Sequence, residues 1–488
     1  MAAETLLRRV GAGLGLVLAL APLAACGWTS QVTTPSIATP AAFPGDEGVD
    51  PQSIADLPWW RYFGDPQLVG MIETGLANNQ NLAVATARVD RAAELVAQAR
   101  AQALPQVEAT LATSPASLAR GASLSSTFFG GLQINWQIDF WGRYHAAAQA
   151  ARETFIATQA DKDAAVQSLV ASIATTWFQL RDVDEQIRVA EANAADADRS
   201  RRLTEMRSRQ GVSSAVEVRQ AETQLYSVRD RMPALRATAV QLQDALAVLL
   251  GQNPGQWTPP DPQATADLTT YPEPPVGLPS ALLQRRPDVL AAQARVRAAG
   301  FDVLAAQRTL APSIGLTAAG GRSSSDLSDL VRADRSAAIA SVGPSVSQPI
   351  FTGGALVAQI KQARSEQAEA LASYRLAVQS ALQNVDDALA AYRLSADRMT
   401  EAGRLEAAAR ETDRLAEKRF QAGVTSFLEV LDAQRELYSA QVELSQAKQY
   451  RNQAAIDLYR SLGGGWSAEP DRQDVRVTTV APARSAGG

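Results

Sequence analysis

The chain has 488 residues, with 46 basic and 51 acidic side chains, a net charge of −5, one histidine and one cysteine. The lone cysteine excludes an internal disulfide, and with the lone His145 it excludes zinc sites built on these ligands and the usual Cys-His or Ser-His catalytic pairs. Charges are intermixed without a basic stripe for nucleic acid, and 6% aromatics with abundant alanine and glutamine favour long helices over compact enzyme cores.

The N-terminus begins with Arg8 and Arg9, followed by an uncharged run from Val10 to Ala21 that is too short to span a bilayer. This is the layout of a secretory signal peptide, assigned to residues 1–25. Leu23, Ala24 and Ala25 before Cys26 resemble the bacterial lipobox, in which cleavage leaves an acylated N-terminal cysteine. Cys26 is therefore the expected lipidation site, and Gly27 after it leans towards the outer membrane. Residues 26–66 form a polar, proline-bearing extended segment.

Proline divides the rest. Seven of the 24 prolines lie from Pro22 to Pro66 and ten from Pro254 to Pro312, whereas His145–Met232 and Ile350–Glu469 contain none. Long helices can run only in these gaps. In the first, Val166, Ile173, Leu180 and Ile187 repeat every seven residues, with Leu169, Val170 and Trp177 between them. The pattern predicts a helix from about His145 to Gln210, roughly 100 Å long. Shorter helices are expected over Gln67–Leu104 and Ser214–Leu250.

Strand candidates separate the helices. "LQINWQID" (132–139) alternates strictly, and "QVEATLAT" (106–113), "SIGLTAAG" (313–320) and "IASVGPSVSQPI" (339–350) supply the rest of two pairs. Such alternation fits a half-buried soluble strand and a transmembrane barrel strand equally well.

The chain is written twice. With Gly211 set on Gly423, "GVSSAVEVRQAETQLYS" matches "GVTSFLEVLDAQRELYS" at nine of 17 positions, and "ATARV" (85–89) matches "AQARV" (292–296). The halves span 67–250 and 279–465, joined by a proline-rich connector (251–278) and followed by a tail (466–488). Each reads as helix, β-hairpin, long helix, tight turn, helix, with the two short helices stacked beside the long one. Gly211 and Gly423 suit the left-handed position that ends a helix, and "SAVE" (214–217) and "SFLE" (426–429) read as capping boxes.

Lipid offers no hydrogen bonds, so strands entering a membrane must be fully paired, and four cannot close a barrel. Several copies must share one. Three chains give about 12 strands and 12 helical columns; two give eight strands and almost no lumen.

The lipobox, "LPWWRYFGDPQL" (57–68), "INWQIDFWGR" (134–143), "RRPDVLAAQARV" (285–296), "QPIFTGGA" (348–355), "AGVTSFLEVLDAQ" (422–434) and "LGGGW" (462–466) together resemble the TolC-like outer-membrane factors, specifically the NodT/OprM-type efflux lipoproteins. The resemblance covers nearly everything from Cys26 to Trp466. It implies an α+β membrane protein, a homotrimer with a 12-stranded outer-membrane β-barrel (four strands per chain) continued by a long periplasmic α-helical barrel. It also implies a passive duct for small molecules, docked through a periplasmic adaptor (membrane-fusion) protein to an inner-membrane pump of RND type. No enzyme activity, metal or cofactor is expected beyond lipid on Cys26. The alternatives are a type I secretion duct for proteins and a coiled-coil lipoprotein tether without a pore.

Related proteins narrow at the hairpin tips with rings of aspartates. The position resembling that ring is Asp432, with Glu429 one turn before it and Glu217 in the first copy. Both glutamates are equally capping-box residues. The first copy has Gln220 where the second has Asp432, so one hairpin per chain supplies this acid. Gly211, Val212, Ser214, Gly423, Val424 and Ser426 form the tips that would meet the adaptor. Arg207 and Arg419 could pair with tip acids. Trp136 and Trp141 suit either a membrane interface or inter-strand packing.

Overall fold

The computed structural model describes residues 59–114, 127–260, 284–332 and 334–464. Cys26, the signal peptide, most of the segment to residue 66, most of the connector and the C-terminal tail lie outside them.

A short 3-10 turn (Trp59–Phe63) leads into α1 (Pro66–Asn78), α2 (Gln80–Ala101), β1 (Gln106–Ser114), β2 (Thr127–Ile138), α3 (Arg143–Arg209) and α4 (Ala215–Leu249). The series continues with α5 (Pro287–Arg308), β3 (Ser313–Ser324), β4 (Ala337–Ser347), α6 (Ala355–Gln421) and α7 (Phe427–Ser461). The long helices α3 and α6 have 67 residues each, about 100 Å of rise. All four strands sit at one end of these helices, and the turns at Gly211 and Gly423 sit at the other.

The expected single helix over Gln67–Leu104 is two helices. Asn79 takes an extended backbone (φ −66°, ψ 126°), and its side chain accepts from the Leu82 amide to start α2. Its Nδ2 also donates to the Leu249 carbonyl at 2.9 Å, so α2 begins where α4 ends. The second half has the same joint in different chemistry. Arg286, at the head of α5, is buried and donates Nη1 to the Ser461 carbonyl at 3.0 Å, at the end of α7. Short helices are thus stacked end to end, α2 on α4 and α5 on α7. α2 and α4 flank α3 on one side and α5 and α7 on the other, while α6 packs on α5 and α7.

The main core lies around the joints. Trp59, Phe63, Leu68 and Ile72 pack against Ile173, Trp177 and Phe178 of α3 and Tyr459 of α7. Trp59 stacks on Tyr459, with ring centroids 5.5 Å apart and planes 10° from parallel. Burying side chains of this size contributes about 2–3 kcal/mol each, which explains the aromatic density of "LPWWRYFGDPQL". Elsewhere the helices meet largely through alanines such as Ala146, Ala150, Ala157 and Ala190, all buried. Small residues let long helices run close together.

The strands form one antiparallel sheet in the order β1-β2-β3-β4. The two hairpins join through β2 and β3, pairing Phe128 with Ser324 at one end and Ile138 with Ile314 at the other. β1 and β4 are its edges, each with one side unpaired among the described residues. Among the described residues no helix is long and apolar enough to cross a membrane.

Candidate functional site

Two regions stand out: the sheet at one end and the hairpin tips at the other. Strand register sorts the sheet's side chains onto two faces. Val107, Ile134, Ala318 and Val342 lie in one row across the four strands, and Ala109, Leu132, Gly320 and Ala340 in the next row of that face. The row between them, on the opposite face, is Glu108, Gln133, Ala319 and Ser341, followed on that side by Gln106, Asn135, Thr317 and Gly343. One face is therefore apolar and the other polar. On the polar face Asn135 Nδ2 donates to Glu108 at 3.1 Å, and Thr317 donates its hydroxyl to the Gly343 carbonyl at 3.2 Å. On the apolar face nothing among the described residues covers Val107, Leu132 or Val342, which are 62%, 57% and 75% exposed.

Trp136 and Trp141 sit where strands meet helices. The Trp136 indole donates to the Ala103 carbonyl at 2.9 Å, and the Trp141 indole donates to the Pro312 carbonyl at 2.8 Å. Both pin the turns that lead into β1 and β3. Asp139 begins α3 by accepting from the Tyr144 and His145 amides at 3.1 and 2.8 Å. Carboxylate and indoles together fix the angle between sheet and long helix.

The tips end in Schellman motifs. Gly211 (φ +76°) donates to Ser208 and Val212 to Arg207, both at 2.9 Å; Gly423 (φ +72°) donates to Phe420 and Val424 to Arg419, both at 3.0 Å. Val212 and Val424 project outward, 63% and 68% exposed. The following helices start differently. Ser214 and Glu217 form a full capping box, with Ser214 N to Glu217 at 2.8 Å and Glu217 N to Ser214 Oγ at 3.2 Å.

The expected second box does not form: Ser426 makes no side-chain cap hydrogen bond. Glu429 instead accepts from the Thr425 hydroxyl and pairs with Arg419 at 3.2 Å across the turn. A charged partner within reach outcompetes the backbone amide.

The two arginines also differ. Arg419 meets a tip acid, but Arg207 lies with its guanidinium 4.7 Å from the Phe420 ring centroid, joining the first hairpin to the second. Phe420 belongs to a buried tip cluster with Phe427, Val430 and Leu431. Asp432, one turn after Glu429, is exposed and lies 3.7 Å from Arg435, which donates Nε to Gln224 of α4 at 3.1 Å. Asp432, Arg435 and Gln224 thus form a chain linking the two hairpins just above their tips. Arg435, Gln224 and Phe420 were not among the residues singled out from the sequence. The flanking of Gly423 by Phe420 and Phe427 was the one available signal.

Burial raises the carboxyl of Asp413, nearby on α6, above its ordinary range, and the neighbouring charges of Glu417 and Asp196 push it the same way. Among the described residues no three His, Cys, Asp or Glu side chains gather into a metal-binding group.

Residues 71–252 and 278–464 match the outer membrane efflux protein family. The chain is 33% identical over 472 residues to the pyoverdine export outer membrane protein OpmQ of Pseudomonas aeruginosa, covering 94% of this chain and 98% of that one. It is 29% identical over 473 residues to the toluene efflux pump outer membrane protein TtgC of Pseudomonas putida, covering 94% and 97%. Among solved structures it is similar to the outer-membrane channel OprN (TM-score 0.80, 30% identity, 90% of this chain and 100% of that one). It is equally similar to the open state of the MtrE channel of Neisseria gonorrhoeae (TM-score 0.79, 29% identity, 89% and 98%). The four-stranded sheet carried on long helices, matched along nearly its whole length by transport channels, places this chain in the outer membrane efflux protein family.

Proposed function

We propose that three copies of this chain share one 12-stranded barrel in the outer membrane, continued into the periplasm by a tube of 12 helical columns. The carrying observation is the sheet: one face apolar, one polar, both edges unpaired, at one end of helices about 100 Å long. Pairing β1 of one copy with β4 of the next satisfies the edges, turns the apolar face to lipid and lines the lumen with Glu108, Gln133, Asn135, Thr317 and Ser341. The halves 67–250 and 279–465 are duplicated units, a reading supported by their matched joints, turns and strand pairs.

The trimer is a passive exit duct for small molecules. An inner-membrane pump of RND type delivers them through a periplasmic adaptor, which docks at the tips formed by Gly211, Val212, Ser214, Gly423, Val424 and Ser426. Relatives named for pyoverdine export and toluene efflux support a small-molecule cargo. Cys26 carries lipid.

Asp432 is the gate acid. Three copies near the axis would repel one another and attract cations, while the Arg435–Gln224 bridge holds each hairpin to its neighbour within the chain. Glu429 and Glu217 lie at the starts of the two hairpins' return helices, each held by its own tip partner, Arg419 and Ser214. The test is single-channel recording in planar bilayers of the wild type and Asp432→Ala. A pore with step conductance is expected, and Asp432→Ala should open more often with weaker cation preference. No conductance from the wild type would reject the duct; unchanged conductance and opening frequency in the variant would reject the gate.

A further inference from the structure

The connection between β3 and β4 does not stand up from the end of the sheet. It contains a 3-10 turn (Leu327–Asp329), and Leu330 after it folds back across β2. Leu330 Cδ2 occupies the space where a side chain on Gly130 would begin, and Leu111 of β1 borders the same notch. Leu111, Gly130, Arg322 and Ala338 form one row, two residues beyond Ala109, Leu132, Gly320 and Ala340 and on the same apolar face. The loop therefore lies on the outside of the sheet, not over the lumen.

Two observations show what this position does. Arg322 is the one charged strand residue on this mainly apolar face, and its Nε donates to Ser336 Oγ of the same loop at 2.7 Å. Leu327 and Val331 are exposed, the latter 88%, while Arg332 and Arg335 on the following stretch keep more than half their side-chain surface in solvent around Asp329. Gly130 lies eight residues up β2 from Ile138, about 26 Å along the strand and about 20 Å along the membrane normal at the usual barrel tilt. An outer-membrane apolar band is about 25 Å tall. With the lower margin of the band set at Ile138, where β2 runs into the helical part, Leu330 and Val331 would lie near its upper margin.

We infer that the β3–β4 connection is an outward-folded strap that binds outer-leaflet lipid. Leu327 and Val331 enter the acyl-chain boundary, and Arg332 and Arg335 face headgroup phosphates. Leu330 seated on Gly130 holds the strap down, and a Cβ at Gly130 would displace the Leu330 side chain from that seat. The apolar residues continue the lipid-facing surface of the strands, which is why lipid rather than lumen water is their partner. The inference rests on the barrel orientation proposed above.

The test uses the full chain in proteoliposomes, with an environment-sensitive fluorophore on Val331→Cys and phospholipid brominated in the upper acyl chain. The signal of the labelled wild type, whose one cysteine is Cys26, is subtracted. Quenching clearly above that of a label at the hairpin tip is expected, as for an interfacial apolar side chain. Labels on Val342→Cys (lipid face of β4) and Val212→Cys (tip) should be quenched and unquenched respectively. Quenching at Val342 without quenching at Val331 overturns the strap and leaves the barrel standing; no quenching at Val342 overturns both. Cross-linking of Val331→Cys between copies would assign the surface to a neighbouring chain instead. Adding Leu330→Ser should reduce the Val331 signal towards the Val212 level; an unchanged signal rejects the seat. Leu327→Cys, expected to be quenched as well, gives a second reading if Leu330→Ser does not fold.

Discussion

The indole of Trp177, midway along α3, donates at 2.8 Å to the fully buried carboxylate of Asp65, whose other oxygen caps α1 by accepting from Gln67 N at 2.9 Å and Leu68 N at 3.2 Å. One side chain thus starts a helix and ties the N-terminal segment to the middle of the long helix α3.

Asp65→Ala removes the cap, about 1 kcal/mol, and strands a buried indole N–H, about 2 kcal/mol more. A total loss near 3 kcal/mol should appear as a lower denaturation midpoint. Asp65→Asn keeps one acceptor oxygen, enough for the cap or for the indole but not for both, and turns an NH2 donor towards the other, so it should lose about 1–2 kcal/mol, less than Asp65→Ala.

The hairpin tips should respond unequally to matched substitutions. Ser214 caps α4, so Ser214→Ala should cost about 1 kcal/mol of local stability. Ser426 makes no such bond, so Ser426→Ala should be nearly neutral. Hydrogen exchange at the amides of residues 215–218 and 427–430 measures the difference. Equal acceleration at both tips would contradict the observed caps.

Burial pushes the Asp163 carboxyl up to about 6, against an ordinary value of 3.8, with Lys162 pulling the other way. Between these values the folded chain holds a proton that the unfolded chain has lost. This contribution to stability is therefore full below about pH 4, is lost as pH rises through 6 and stays constant above. Asp163→Asn should accordingly be neutral at pH 4 and stabilising at pH 7 by roughly 1–2 kcal/mol. Denaturation midpoints at the two pH values check it; equal shifts at both would show that another group titrates.

Cys26→Ser should impair targeting or assembly more than conduction, because a chain held in a barrel needs no second anchor to remain in place. Fractionation and trimer yield should fall while the channels that do form conduct normally. Normal localisation with normal trimer levels would count against the role of Cys26.

Much of the architecture could be read from local signals. The long helix expected over His145–Gln210 is Arg143–Arg209, because its end is marked by a glycine whose left-handed conformation is a local requirement. Strand positions followed from alternation. What escaped depended on distant partners. Asn79 breaks the first helix without glycine or proline because its side chain reaches Leu249, 170 residues away. Glu429 leaves its capping position because Arg419, on the other side of the turn, holds it. Pairing of β2 with β3 and the seat of Leu330 on Gly130 likewise depend on elements more than 170 residues apart in the chain.

The free edges of β1 and β4 also carry a kinetic consequence. A lone chain that entered lipid would leave two rows of amides and carbonyls without partners, each costing several kcal/mol. In the shared barrel proposed above, insertion of single copies is therefore disfavoured, and the copies should meet before or while they cross into the bilayer. The rate of insertion should rise more steeply than linearly with chain concentration, making the unfinished sheet a checkpoint against half-built pores.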